Sequence, residues 1–147
     1  MHQDMVPVEN GNGDAFLTIT FNLGCSEPFC SFVLMTKINS HDRRLKRLYI
    51  LFNMKHGLNE YDKQMLAHLA HLLLNDRGEQ RFTLQAVITK ADSFPAVDLN
   101  ATLAKIKSDI WDAAPLCLPP IVTSAHMNPP FGIDALRQNI ASVCNLR

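Results

Sequence analysis

Two stretches decide the fold: Val87-Ile88-Thr89-Lys90-Ala91-Asp92 and, further along the chain, Ile121-Val122-Thr123-Ser124-Ala125. Each is an apolar run that gives way abruptly to small polar residues. Continuous apolar runs without alternation fit strands buried on both faces of a parallel sheet. Polar residues just beyond such strands sit where open α/β sheets bind ligands, outside the carboxyl ends of the strands. One helix's worth of sequence separates the two stretches, so their loops are expected to share that edge.

Working outward, Leu48 to Phe52 (Leu-Tyr-Ile-Leu-Phe) reads as another buried strand, and Phe82 to Ile88 as the strand that carries the first motif. Leu118 to Val122 carries the second, with Pro119 and Pro120 at its start, where an edge strand tolerates proline. Asn59 followed by Asp62 reads as a capping box, and Met65, Leu66, Leu69, Leu72 and Leu73 then recur at helical spacing until Gly78 closes the connection. Leu99, Leu103, Ile106 and Ile110 form the stripe of a helix beginning near Asp98. A last helix, Gly132 to Val143, is expected to turn Ile133, Leu136 and Ile140 inward. His41 to Arg47 resembles the last turns of a helix. Alternating strands and helices predict parallel strands joined by right-handed crossovers, an α/β layer fold that is incomplete as a doubly wound sheet.

The first forty residues differ in character. Met1 to Asp14 is polar and rich in Gly and Asn, which reads as a disordered start. Phe16 to Phe21 is a strand signal, Gly24 to Pro28 a turn and Ser31 to Ile38 a second strand signal. Residues 1–40 are therefore expected to be an atypical segment, partly disordered or a β-hairpin, ahead of a domain over 41–147.

At 147 residues the chain is long enough for one domain with a real core. Its 14 basic and 14 acidic residues cancel, which argues against binding nucleic acid by bulk electrostatics. The single basic cluster, Arg43-Arg44-Leu45-Lys46-Arg47, reads as a solvated helix end. Cys25, Cys30, Cys117 and Cys144 lack the paired spacing of a zinc site and are expected to be free thiols. No apolar run approaches the ~18 residues of a membrane span. Asp4, Glu9 and Asp14 speak against a transit peptide.

The chemistry lies in the two polar loops. Guanine presents adjacent N1–H and exocyclic NH2 donors that one ionised carboxylate accepts side by side; Asp92 fits this role, at about 1.5–3 kcal/mol for each charge-assisted bond. Adenine offers a bare acceptor at N1 and would be repelled. Lys90 brings an aliphatic stem to lie along the purine face, and Thr89 braces the loop. Ser124 fixes the second turn. Ala125, being small, lets a backbone N–H approach guanine O6. Either motif alone reads as an ordinary polar loop; the specificity comes from the pair. His68 and His71 have a spacing open to metal binding but read as surface residues. His126 and Met127-Asn128-Pro129-Pro130 read as a loop bordering the second motif, and Trp111 as core or helix-end packing.

These residues, together with Arg44-Leu45-Lys46-Arg47-Leu48, His56-Gly57-Leu58-Asn59-Glu60-Tyr61-Asp62, Gln64-Met65-Leu66 and Gly132-Ile133-Asp134-Ala135-Leu136-Arg137, resemble the C-terminal half of the EngB/YihA-type GTPases, in the translation-factor-like class of G proteins. The resemblance covers about residues 44–143, roughly two-thirds of the chain. It implies a P-loop-GTPase-like fold and GTP/GDP binding through Thr89, Lys90, Asp92, Ser124 and Ala125, with Mg2+ as the accompanying ion. It also implies a partner in the large ribosomal subunit or its rRNA, and a mitochondrial or cytoplasmic location. The family's phosphate loop ends in Gly-Lys-Ser; no Gly-Lys-Ser or Gly-Lys-Thr occurs here, the Asp-x-x-Gly loop is unmatched, and Asn53 stands where the family commonly has aspartate. Phosphoryl transfer depends on those parts for positioning and charge neutralisation, so the chain alone is expected not to hydrolyse GTP. The alternative from another class is a non-catalytic interaction module derived from a G domain, meeting a ribosomal or protein partner without nucleotide.

Overall fold

The structure is a computed structural model that describes residues 6–9, 15–20 and 45–144. Among the described residues five strands form one sheet in the order β1-β2-β3-β4-β5: β1 Val6–Glu9, β2 Ala15–Thr20, β3 Leu45–Asn53, β4 Thr83–Thr89 and β5 Leu118–Val122. β1 and β2 pair antiparallel. β2, β3, β4 and β5 then run parallel to one another. Among the described residues three helices connect or follow the parallel strands: α1 Glu60–Leu72, α2 Ala96–Ala113 and α3 Ile133–Val143. This is the α/β layer fold expected from the alternating runs, with the carboxyl ends of the parallel strands at one edge.

Strand periodicity sorts β3 and β4 into two faces. Leu48, Ile50 and Phe52 lie opposite Leu84, Ala86 and Ile88, and all six are buried in the main core. α1 adds Leu66 and Leu69, with Leu73 at its end, and α2 adds Ile106 and Ile110. Lys63 reaches across from α1 to Asp109 of α2 at 3.2 Å. Helix α1 starts as the sequence indicates: Asn59 Oδ1 accepts from the Asp62 N–H at 2.8 Å, and Asp62 Oδ2 accepts from the Asn59 N–H at 3.0 Å. Burial pushes the Asp62 carboxyl up, against the lowering effect of the Asn59 amide.

The opposite face is held by polar groups. Tyr49 Oη and Arg47 Nη1 both donate to Asn139 Oδ1 of α3, each at 2.7 Å. Arg47 Nε donates to Thr83 Oγ1 at 2.8 Å. Gln85, buried beside Tyr49 in the register, donates to the Pro119 carbonyl at 2.8 Å and so ties the start of β5 to β4.

Several expectations change. Leu45 to Arg47 belong to β3, not to a helix end, because Leu45 is buried under the sheet's core and the strand begins there. Val6–Glu9, read as part of a disordered start, forms an edge strand against β2, a place that tolerates Pro7. α2 begins at Ala96 behind Pro95, two residues before Asp98. α3 buries none of its residues: Ile133 and Leu136 are half-buried and Ile140 is exposed. Trp111 is 64 % exposed, so it lies outside the core, in the last turn of α2. The turn at Gly24 to Pro28, the strand signal at Ser31 to Ile38, Arg43, Arg44, Cys25 and Cys30 lie outside the described residues. Cys117 and Cys144 are not joined in a disulfide, and no described helix is long and apolar enough to cross a membrane.

Leu69→Ala, which empties a fully buried site, should cost about 2–5 kcal/mol of stability, and Asn59→Ala about 1 kcal/mol through loss of the cap. His68→Ala on the exposed face of α1 should stay within about 0.5 kcal/mol. Urea unfolding followed by far-UV circular dichroism checks all three.

Candidate functional site

The register of the parallel strands brings their carboxyl ends level. Asn53 lies opposite Thr89, and Ile88 opposite Val122. Thr89 is pinned twice to the neighbouring strand: its Oγ1 donates to the Phe52 carbonyl at 3.2 Å, and its carbonyl accepts from the Met54 N–H at 3.0 Å. Asn53 closes the adjacent turn by accepting from the Lys55 N–H at 3.0 Å.

Beyond Thr89 the chain turns sharply. Lys90 has φ +58°, a left-handed conformation uncommon for a residue with a Cβ. It throws the backbone into a short 3₁₀ turn, Ala91–Ser93, that carries Asp92. Ala91 is buried and its N–H donates to the Thr123 carbonyl at 3.2 Å. Thr123 in turn donates its N–H to the Ile88 carbonyl at 2.7 Å, so the two loops are sewn together at their bases.

Ser124 completes the arrangement. It is 1 % exposed, and its hydroxyl donates to Asp92 Oδ1 across 32 residues of sequence. Asp92 and Lys90 remain exposed, as does Ala125. The Ser124 hydroxyl holds the Asp92 carboxyl below the usual carboxylate range. Partial desolvation opposes this, while the Asp92 amide, His126 and Lys90 act with the hydroxyl. Hydrogen bonds and positive charges favour the ionised form, so Asp92 is a carboxylate ready to accept donors from a ligand.

All five residues singled out in the sequence, Thr89, Lys90, Asp92, Ser124 and Ala125, therefore lie at the same edge of the sheet, with Asp92 and Ser124 in direct contact. His126 to Pro130 form an exposed loop beside them. Two further residues stand at the base of that loop: Phe131 exchanges both backbone hydrogen bonds with Ser124 at 2.9 Å, and Gly132 follows with φ +71°. A glycine directly before the first turn of a helix was the available signal, but in the sequence it marked only a helix start. His68 and His71 are exposed on α1. Among the described residues no three His, Cys, Asp or Glu side chains converge.

At the other end of the strands, a cavity of about 430 Å³ opens between α2 and the start of β5, lined by Trp111, Cys117, Pro119 and Pro120. Burial pushes the Cys117 thiol up to about 11, which leaves it protonated and unreactive at neutral pH.

The chain is 28% identical over 101 residues to the probable GTP-binding protein EngB of Rhodospirillum rubrum. That match takes in 69% of this chain and 39% of the relative, so the chain spans well under half of the protein it resembles. Its fold matches translation elongation factor SelB from Methanococcus maripaludis, in the apo form, with a TM-score of 0.51 and 22% identity, over 70% of this chain and 20% of that one. No family model matches the chain. The chain is thus similar in sequence to a probable GTP-binding protein EngB and shares its α/β fold with a translation elongation factor.

Ser124→Ala should raise the Asp92 pKa toward the ordinary carboxylate value, read from the carboxyl carbon shift in an NMR titration. The sign follows from the depressed value in the folded state. What the carboxylate contributes is present above the unfolded-state range and is lost as pH falls through the lower folded value; the variant, its pKa nearer the unfolded value, should show less of that contribution.

Proposed function

We propose that the chain binds guanine nucleotides, reading the base with Asp92. The observation that carries this is the Ser124 hydroxyl bonded to the Asp92 carboxylate, which joins two loops distant in sequence into one acceptor site. The similarity to a protein described as GTP-binding supports it. The Asp92 oxygens accept the guanine N1–H and NH2, the Lys90 stem lies along the purine face, and the Ala125 amide donates to O6. Thr89 and Ser124 act as braces.

The base-reading part accounts for recognition but supplies no phosphoryl chemistry. Gly-Lys-Ser and Gly-Lys-Thr are absent from the 147 residues, and these would cradle the phosphates and help hold Mg2+. The chain by itself is proposed to bind GTP or GDP without turnover. Its proposed setting, carried by the EngB resemblance alone, is assembly of the large ribosomal subunit in a cytoplasmic or mitochondrial compartment.

Titration with fluorescent GDP and, separately, fluorescent ADP tests the reading. Saturable binding of GDP but not ADP is expected; absence of both from a protein shown to be folded would overturn it and favour the interaction-module alternative. Asp92→Asn should weaken GDP about tenfold or more, the loss of roughly one charge-assisted bond, and shift preference toward xanthosine diphosphate, whose extra carbonyl suits an amide donor. An unchanged preference would remove Asp92 from the site.

A further inference from the structure

The exposed loop from Ala125 to Pro130 is tied down at its base by the Ser124–Phe131 pair, whose two backbone hydrogen bonds both measure 2.9 Å. Ser124 is therefore held from two directions. Its backbone is gripped by Phe131, and its side chain grips Asp92. What fixes Phe131 is the next residue. Gly132 takes φ +71° and its carbonyl accepts from the Leu136 N–H at 3.1 Å, the first turn of α3.

Gly132 also passes unusually close to the end of β5. A Cβ placed on it would overlap the Val122 carbonyl oxygen and lie 3.0 Å from the Val122 carbonyl carbon and 3.3 Å from Thr123 Cα. These are backbone atoms of the two residues immediately before Ser124, and they cannot swing aside as a side chain would. Thr123 is itself bonded to Ile88 and Ala91 at the base of the Asp92 turn. The start of α3, the end of β5 and the Asp92 turn thus form one close-packed unit, with Gly132 at the tightest point.

We propose that Gly132, acting through the Phe131 backbone, is a positioning residue for base recognition: it seats α3 against β5 and so sets the Ser124 hydroxyl where it orients the Asp92 carboxylate. This rests on the reading of Asp92 as the guanine acceptor. Any Cβ at position 132 pushes Val122 and Thr123 away or lifts Phe131, and both movements draw Ser124 off Asp92. A carboxylate freed from Ser124 rotates and no longer presents both oxygens side by side. The discrimination that suffers most is the one needing both: guanine against hypoxanthine, which lacks the exocyclic amine.

The experiment compares affinities for GDP and inosine diphosphate. The unmodified chain should prefer GDP by about tenfold or more, as one charge-assisted bond implies. Ser124→Ala and Gly132→Ala should each cut that ratio severalfold. The double variant should fall no lower than the worse single one, because both act along one path. Multiplying effects, or an unchanged ratio in folded Gly132→Ala, would overturn the proposal. If neither Asp92→Asn nor Ser124→Ala alters the ratio, the base reading itself fails; if those two respond and Gly132→Ala does not, only the role of Gly132 fails. Should Gly132→Ala not fold, hydrogen exchange on the unmodified chain decides. GDP but not ADP should slow the Ser124 and Phe131 amides, and unaltered exchange at both would count against the linkage.

Discussion

The register of β4 between two parallel neighbours sets Asn53 opposite Thr89 and Val122 opposite Ile88, and the site depends on that alignment. Strands that stop at one level deliver their loops to one place. A slip of a single residue in either pairing would turn the buried faces outward, and it would also separate Asp92 from Ser124. The register is strongly specified because β4 is buried along its middle five residues, and the polar one among them, Gln85, has its amide satisfied by the Pro119 carbonyl.

The two faces of the sheet are secured by different physics. Toward α1 and α2 the contacts are apolar and dense, with Leu48, Ile50, Phe52, Leu84 and Ile88 almost completely removed from water. Toward α3 the anchor is directional, the Asn139 side-chain carbonyl taking two hydrogen bonds from Arg47 and Tyr49. Burial raises the Tyr49 phenol, with Arg47 opposing, so Tyr49 stays a neutral donor. Apolar burial sets how firmly the sheet stands, whereas the polar anchor sets where α3 sits along it. The position of α3 matters because its first residue follows Gly132, next to the end of β5.

Electrostatically the candidate site is local. The chain carries no net charge, so no long-range field gathers an anionic ligand. Recognition has to come from groups already in place. Asp92 is ionised and oriented by Ser124, with Lys90 and His126 near enough to favour its charge. On the proposed reading, such an arrangement selects by matching donors to acceptors, which yields specificity for a base more readily than affinity for a phosphate.

The sequence by itself determined the parallel α/β layering and the pair of loops at its edge, because continuous apolar runs ending in Thr-Lys-Ala-Asp and Thr-Ser-Ala leave little choice of environment. The capping box at Asn59 was legible for the same reason, being a local pattern of neighbouring residues. What the sequence left open involved partners distant along the chain. Leu45 to Arg47 read as a helix end until the sheet claimed them, and Trp111, read as core or helix-end packing, is left outside the core. Val6–Glu9 became a strand only because β2 had an edge to offer. The hydroxyl-to-carboxylate contact of Ser124 with Asp92 and the close passage of Gly132 by Val122 were decided by tertiary structure alone. Each depends on how two strand ends and a helix start converge in space, which no single stretch of residues encodes.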